Sequence, residues 1–262
     1  MSDYYNPRRA RNLFNPDAKE PFSISRSKID LFIECPFCFY VDRVLGVGRP
    51  PGFPFSLNSA VDKLLKKEFD AYRVAGEPHP LMSQYKILAK PFPHKDLNKW
   101  RENFTGVQYL HKPTNLNITG AIDDVWVNDK QELHVVDYKA TSKDSEVTLD
   151  APWQDGYKRQ MEVYQWLMRK NGFRVSDTGY FVYCNGDADK EAFDGKLEFD
   201  VKIIPYKGDD GWVEKTILSL KENLMLGKPP KSSKDCDYCN YRNAVEEVVP
   251  QKKSGPATKS LF

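Results

Sequence analysis

The hydrophobic residues of this chain change their spacing along its length, and no other feature narrows its folding options as far. Leu57, Ala60, Val61, Leu64, Leu65, Phe69 and Tyr72 recur at intervals of three and four, the spacing of one helical face. Between about 107 and 139 the period drops to two, in VQYLH, LNITG, AIDDVWV and ELHVVDYK, which predicts strands. A helix follows over roughly 154–170, then strands at TGYFVYCN and LEFDVKII, then a last helix ending near Gly227 as a C-cap. Upstream, a helix is predicted to start near Ser25 or Ser27 and to run into Cys35-Pro-Phe-Cys38, with Asp30 in a capping-box-like position. The stretch GVGRPPGFPF after it reads as loop. Helices before, between and after strands define an α/β chain.

At 262 residues the chain fits one large domain, and 40% hydrophobic against 29% charged residues is a globular composition. Residues 1–20 and 244–262 lack an apolar period and read as flexible tails around a domain at 21–243. Lys and Arg exceed Asp and Glu by two, so attraction of an anionic partner has to come from local charge. No apolar run approaches the ~20 residues that span a bilayer, and the N-terminus has no signal-peptide core, so the expected location is cytoplasmic.

The chemistry concentrates where AIDDVWV folds back on ELHVVDYK through Asn128, Asp129 and Lys130. With the turn centred on Lys130, Val127 faces Leu133, Val125 faces Val135 and Asp123 faces Asp137. All six side chains then share one face, with Lys139 two residues further on. Opposed like charges destabilise a ladder by roughly 1 kcal/mol unless a cation lies between them. Mg²⁺ suits a carboxylate pair, and a lysine beside it can orient or deprotonate water, which points to phosphodiester hydrolysis. Asp-x-Lys also occurs at Asp17, Asp194 and Asp200, so a solvated surface pair is the competing reading.

Four of five cysteines form two C-x-x-C pairs, Cys35 with Cys38 and Cys236 with Cys239. Four thiolates suffice for structural Zn²⁺ or a [4Fe–4S] cluster, and a long intervening loop costs little because closure entropy grows logarithmically. Such a site would join the N- and C-terminal segments. Cys184, alone on an apolar strand, reads as a core residue.

These residues resemble the motifs of RecB-like PD-(D/E)XK nucleases, which are related to CRISPR-adaptation nucleases. Gly120-Ala-Ile-Asp123 matches G-x-(I/V)-D, Asp137-Tyr-Lys139 matches D-x-K and Gln160-x-x-x-Tyr164 matches the downstream helix motif; upstream, Ser23-Ile-Ser25, Cys35-Pro36 and Tyr40 match that branch's opening. The resemblance covers roughly residues 23–241 and implies a restriction-endonuclease-like core, a central mixed β-sheet flanked by helices. It implies Mg²⁺ or Mn²⁺ on Asp123, Asp137 and the Tyr138 carbonyl, with Lys139 beside the attacking water and Gln160 and Tyr164 supporting the site or touching substrate. Where the family often has a histidine ligand in L-G-x-x-x-H, this chain has Leu57-Asn-Ser-Ala-Val-Asp62, which offers Asp62 as a harder ligand. Relatives with iron–sulfur clusters use one cysteine upstream and three downstream. The two-plus-two arrangement here leaves zinc and iron–sulfur both open.

The implied substrate is DNA, single-stranded or with free ends, in repair, recombination or defence. Tyr40, Arg43, Tyr157, Lys158, Arg159, Tyr241 and Arg242 are candidates for base stacking and backbone contact. No G-x-x-x-x-G-K-(S/T) phosphate loop is present, so unwinding would need a helicase partner. The ending Ser260-Leu261-Phe262 reads either as an idle tail or as an anchor resembling sliding-clamp-binding peptides, from which Thr258 and Lys259 depart. A non-catalytic nucleic-acid-binding module and a metal-stapled protein-interaction subunit are the alternatives.

Overall fold

A computed structural model of the protein describes residues 8–52 and 56–249. Strand β1 (Phe22–Ser25) leads into helices α1 (Arg26–Glu34) and α2 (Pro36–Arg43), followed by the long α3 (Ser56–Ala75) and the short α4 (Pro80–Gln84). Then come β2 (Ala89–Pro91), α5 (Leu97–Trp100), β3 (Val107–His111), β4 (Leu116–Gly120), β5 (Asp124–Asn128) and β6 (Leu133–Thr141). The chain continues with α6 (Asp155–Lys170), β7 (Thr178–Gly186), β8 (Phe199–Lys207), α7 (Val213–Leu224) and α8 (Asp237–Val248).

The strands form a curled mixed β-structure flanked by helices. Five strands hydrogen-bond in the order β2-β5-β6-β7-β8 and three in the order β1-β4-β3. Pairing is antiparallel except for β6 with β7 and β1 with β4. The β5–β6 register is the one predicted: Val127 opposite Leu133 and Val125 opposite Val135. Period-two alternation divides the strands between two cores. Val125, Val127, Leu133 and Val135 belong to the core shared with α1, α6 and α7, whereas Trp126, Val136, Tyr138 and Val182 belong to the one shared with Leu65 and Phe69 of α3.

Several expectations need correction. The first helix starts at Ser25 as expected and reaches the cysteine segment, but it breaks at Cys35, because the residue before proline avoids helical dihedrals: Cys35 is extended (φ −158°, ψ 103°), and Pro36 opens α2. Ser25 caps α1 without a side-chain bond to its backbone, and Asp30 pairs with Arg159 instead of closing a capping box. Ser23 and Ser25 belong to β1, a strand the sequence reading missed. On α3 the buried stripe is Leu65, Phe69 and Arg73; Leu57 and Leu64 are exposed, since the helix covers one sheet face only. The helix predicted to end near Gly227 stops at Leu224 with Met225 as its cap, and α8 follows it. At the ends, Phe14 packs in the core, Arg9 Nη2 donates to Asp42 Oδ1 at 2.7 Å, and α8 extends past residue 243. The 251–262 segment with Ser260-Leu261-Phe262 lies outside the described residues.

Candidate active site and cysteine centre

Asp123 sits just before β5, where β4 has ended at Gly120, and Asp137 lies on the neighbouring β6. The backbone N–H of Tyr138 donates to Asp123 Oδ2 at 2.9 Å, which fixes one carboxylate against the strand bearing the other. Asp137 is fully buried. Gln160 Nε2 donates to Asp137 Oδ1 at 2.7 Å and to the Tyr164 hydroxyl at 3.0 Å, so both amide hydrogens are used. The Lys139 ammonium forms an ion pair with Asp137 Oδ2, lies 3.5 Å from Gln160 Oε1 and sits 4.4 Å from the centre of the Tyr157 ring. Asp123, Asp137, Lys139, Gln160 and Tyr164 therefore converge.

Gly120 makes this packing possible. A Cβ there would meet Tyr164 Cε1 at 2.7 Å and Leu167 Cδ1 at 2.9 Å, so α6 can lie this close to β4 only over glycine.

Burial raises the Asp137 carboxyl pKa; Lys139 opposes the rise and Asp123 adds to it, leaving it at about 6. Its Oδ2 atom is buried with no hydrogen-bond donor aligned on it, only the lysine in ion-pair contact. Hard carboxylate oxygens of this kind, one of them incompletely satisfied, fit Mg²⁺ or Mn²⁺. Asp62 lines the same cleft, but it shares a partner with Asp123: Lys66 Nζ lies 2.8 Å from Asp62 Oδ1 and 3.0 Å from Asp123 Oδ1. Burial and Asp123 push the Asp62 carboxyl pKa up. Asn58, four residues before Asp62, donates to the Ala140 carbonyl at 2.8 Å and ties the start of α3 to β6.

Sequence reasoning missed Lys66 and the support behind Asp123. Arg101 Nε donates to the Asp123 carbonyl at 2.8 Å, and its Nη1 pairs with Asp70 at 2.8 Å. On the opposite sheet face the buried Asp124 accepts from the Tyr138 hydroxyl at 2.7 Å and pairs with Arg73. The Asp123-Asp124 doublet was the available signal, since adjacent strand residues point to opposite faces.

Of the candidate substrate contacts, Tyr40 is buried and donates to the Leu226 carbonyl, Arg43 is buried against Asp42, and Arg159 and Lys158 pair with Asp30 and Asp155. Arg242 lies over Phe37, and Tyr241 is exposed. The cleft above Asp123 measures about 1100 Å³, with Arg26, Lys66 and Arg101 on its walls and the fully exposed Phe104 beside them.

The four cysteines also meet. The Sγ atoms of Cys35, Cys38, Cys236 and Cys239 lie within 4.8 Å of one another, the one such metal-ligating cluster among the described residues. Cys35 and Cys236 are the N-cap residues of α2 and α8, and Cys38 and Cys239 lie in the first turns, where the helix dipole favours thiolates. Burial pushes the Cys35 thiol pKa up, but bonds from the backbones of Cys38 and Ser233 outweigh it and bring it to about 7. Cys184 stands apart and buried, its thiol pKa raised by burial to about 11.

A comparison with curated proteins finds no match. Among solved structures the chain is similar to the crystal structure of SSO0001, with 17% identity and a TM-score of 0.39 over 88% of this chain and 87% of that one. A family model matches residues 23–244, a span that includes both carboxylates, the lysine, the α6 glutamine and all four clustered cysteines. The chain belongs to the PD-(D/E)XK nuclease superfamily.

Proposed function

We propose that the protein is a Mg²⁺- or Mn²⁺-dependent deoxyribonuclease that hydrolyses DNA phosphodiester bonds, with single strands or free ends as its preferred substrate. The observation that carries this reading is the joint placement of Asp123, Asp137 and Lys139, with Gln160 fixing the buried carboxylate, beside a cleft walled by cationic side chains. The family includes non-catalytic members, and an intact, mutually oriented set argues against that alternative. Asp123 and Asp137 would hold the divalent ion, with Asp62 as an auxiliary ligand. Bound there, the ion would polarise a phosphoryl oxygen. Lys139 orients the attacking water through its ammonium; the water gives up a proton to solvent as its oxygen bonds to phosphorus, the bond to the leaving sugar oxygen breaks, and that oxygen takes up a proton from solvent. Gln160 and Tyr164 act as positioning residues, because their hydrogen bonds are spent on Asp137 and on each other. Arg26 suits the phosphate backbone, and Phe104 suits an unpaired base.

The test is cleavage of labelled single- and double-stranded DNA by purified protein with Mg²⁺, Mn²⁺ or EDTA. Cleavage with either ion and none with EDTA is expected, and Asp137→Asn or Lys139→Ala should lower it by at least 10²-fold with the fold retained. Wild-type cleavage by Asp137→Asn would sink the assignment.

A further inference from the structure

The cysteine centre has dimensions that separate two kinds of metal group. The Cys35–Cys239 sulfur separation is 3.8 Å, and Cys38 lies 3.6 Å from both Cys236 and Cys239. A single zinc ion with bonds of about 2.3 Å to four tetrahedral sulfurs sets those sulfurs about 3.8 Å apart. In a four-iron cluster each thiolate binds a different iron, so the sulfurs stand around the outside of a cube and lie farther apart. Here all four fall within 4.8 Å, which leaves room for one ion.

Beside this cluster lies Arg49, in the loop after α2. Its Nη2 donates to Cys236 Sγ at 3.4 Å, its Nη1 pairs with Glu34 at 2.6 Å, and its guanidinium stacks 4.5 Å from the centre of the Tyr238 ring. Glu34 ends α1 and Tyr238 sits in α8, so one planar cation touches both chain segments that supply the thiolates. Four thiolates around a divalent ion carry a net charge of −2. A guanidinium offset this way, donating to sulfur while stacked on a ring, cannot be copied by the point charge of lysine.

We propose that Cys35, Cys38, Cys236 and Cys239 hold one tetrahedral Zn²⁺ and that Arg49 is the positioning residue that retains it by donating to Cys236. The inference rests on the metal-site reading of the cysteines and not on the nuclease reading, because its readout is metal content. Full-length protein, purified anaerobically from cells supplied with both iron and zinc, is expected to be colourless with one zinc per chain. About four irons with inorganic sulfide, or no bound metal, would overturn the assignment. Zinc release from the intact protein to a chromogenic chelator should be ~10- to 100-fold faster in Arg49→Ala, the usual range for loss of an outer partner of a metal ligand. Arg49→Lys should also release faster than wild type, which gives a second reading if the alanine variant folds poorly. Release at the wild-type rate in both variants would remove Arg49 from the site.

Discussion

Asp137 is the residue on which the site's electrostatics turn. Its pKa of about 6 lies above the usual carboxylate value of 3.8, so the folded state holds its proton more tightly than the unfolded chain does. The sign follows: the stability this group contributes is fully present below pH 4 and is lost as pH rises through 6. Comparing wild type with Asp137→Asn reads the group together with its coupling to Lys139 and Asp123. Wild-type stability relative to the variant should fall by roughly 2 kcal/mol between pH 4 and pH 7, measured by urea unfolding in EDTA. A pH-independent difference would show that Asp137 is solvated. Protons and a divalent ion compete for the same oxygens, so Mn²⁺ affinity should climb through pH 6 and level off above it. Asp123, Asp137 and Lys139 could be found in the sequence because period-two alternation and one turn centre fix which side chains share a face. Lys66 could not, because a lysine one turn after Asp62 on a helix reads as an ordinary surface ion pair. Only the fold brings Asp123 to the same ammonium.

At the scale of elements, α6 connects the strands to the chemistry. It packs against β3, β4 and β6, and its Gln160 and Tyr164 reach the carboxylates because Gly120 leaves space beneath the tyrosine ring. Gly120→Ala should cost about 1–3 kcal/mol by overpacking. It should also lower cleavage ~10- to 100-fold, because a displaced Tyr164 no longer holds Gln160 against Asp137. Tyr164→Phe is the control: it keeps the ring and loses the hydroxyl, so a similar loss of rate with little loss of stability would tie the effect to the Gln160 bond. Full activity in Gly120→Ala would mean that α6 can shift without moving the amide. The helices and strands with long periodic stretches were readable from sequence. Strand β1 was not, since four residues carry almost no period and its partner β4 lies about ninety residues away, as Phe22 paired with Leu116 shows.

Over the whole molecule the cysteine centre closes the chain's N-terminal helices onto its last helix. All four cysteines belong to the main core, and the α1–α2 side adds Ile29, Leu31 and Phe39 to it. The α8 side enters that core through its thiols alone. Cys239 is the one buried residue on that helix, while Tyr241, Val245 and Val248 are exposed, so the helix has no apolar face to hold it once the thiolates let go. That same lack of a face hid α8 from sequence reading, which found its cysteines and not its helix. A metal held there would stabilise one element and not the whole core, and its loss should produce local unfolding. Treatment with a strong chelator should open residues 225–249 to trypsin, with cleavage after Lys231 or Lys234 appearing first, while the β5–β6 hairpin should stay protected from amide exchange. Cys239→Ser should reproduce this without chelator. Cooperative loss of protection across β5, β6 and α6 on metal removal would instead make the clasp part of the folding core, and the zinc-free protein would then be unable to retain the Asp123–Asp137 pair at all.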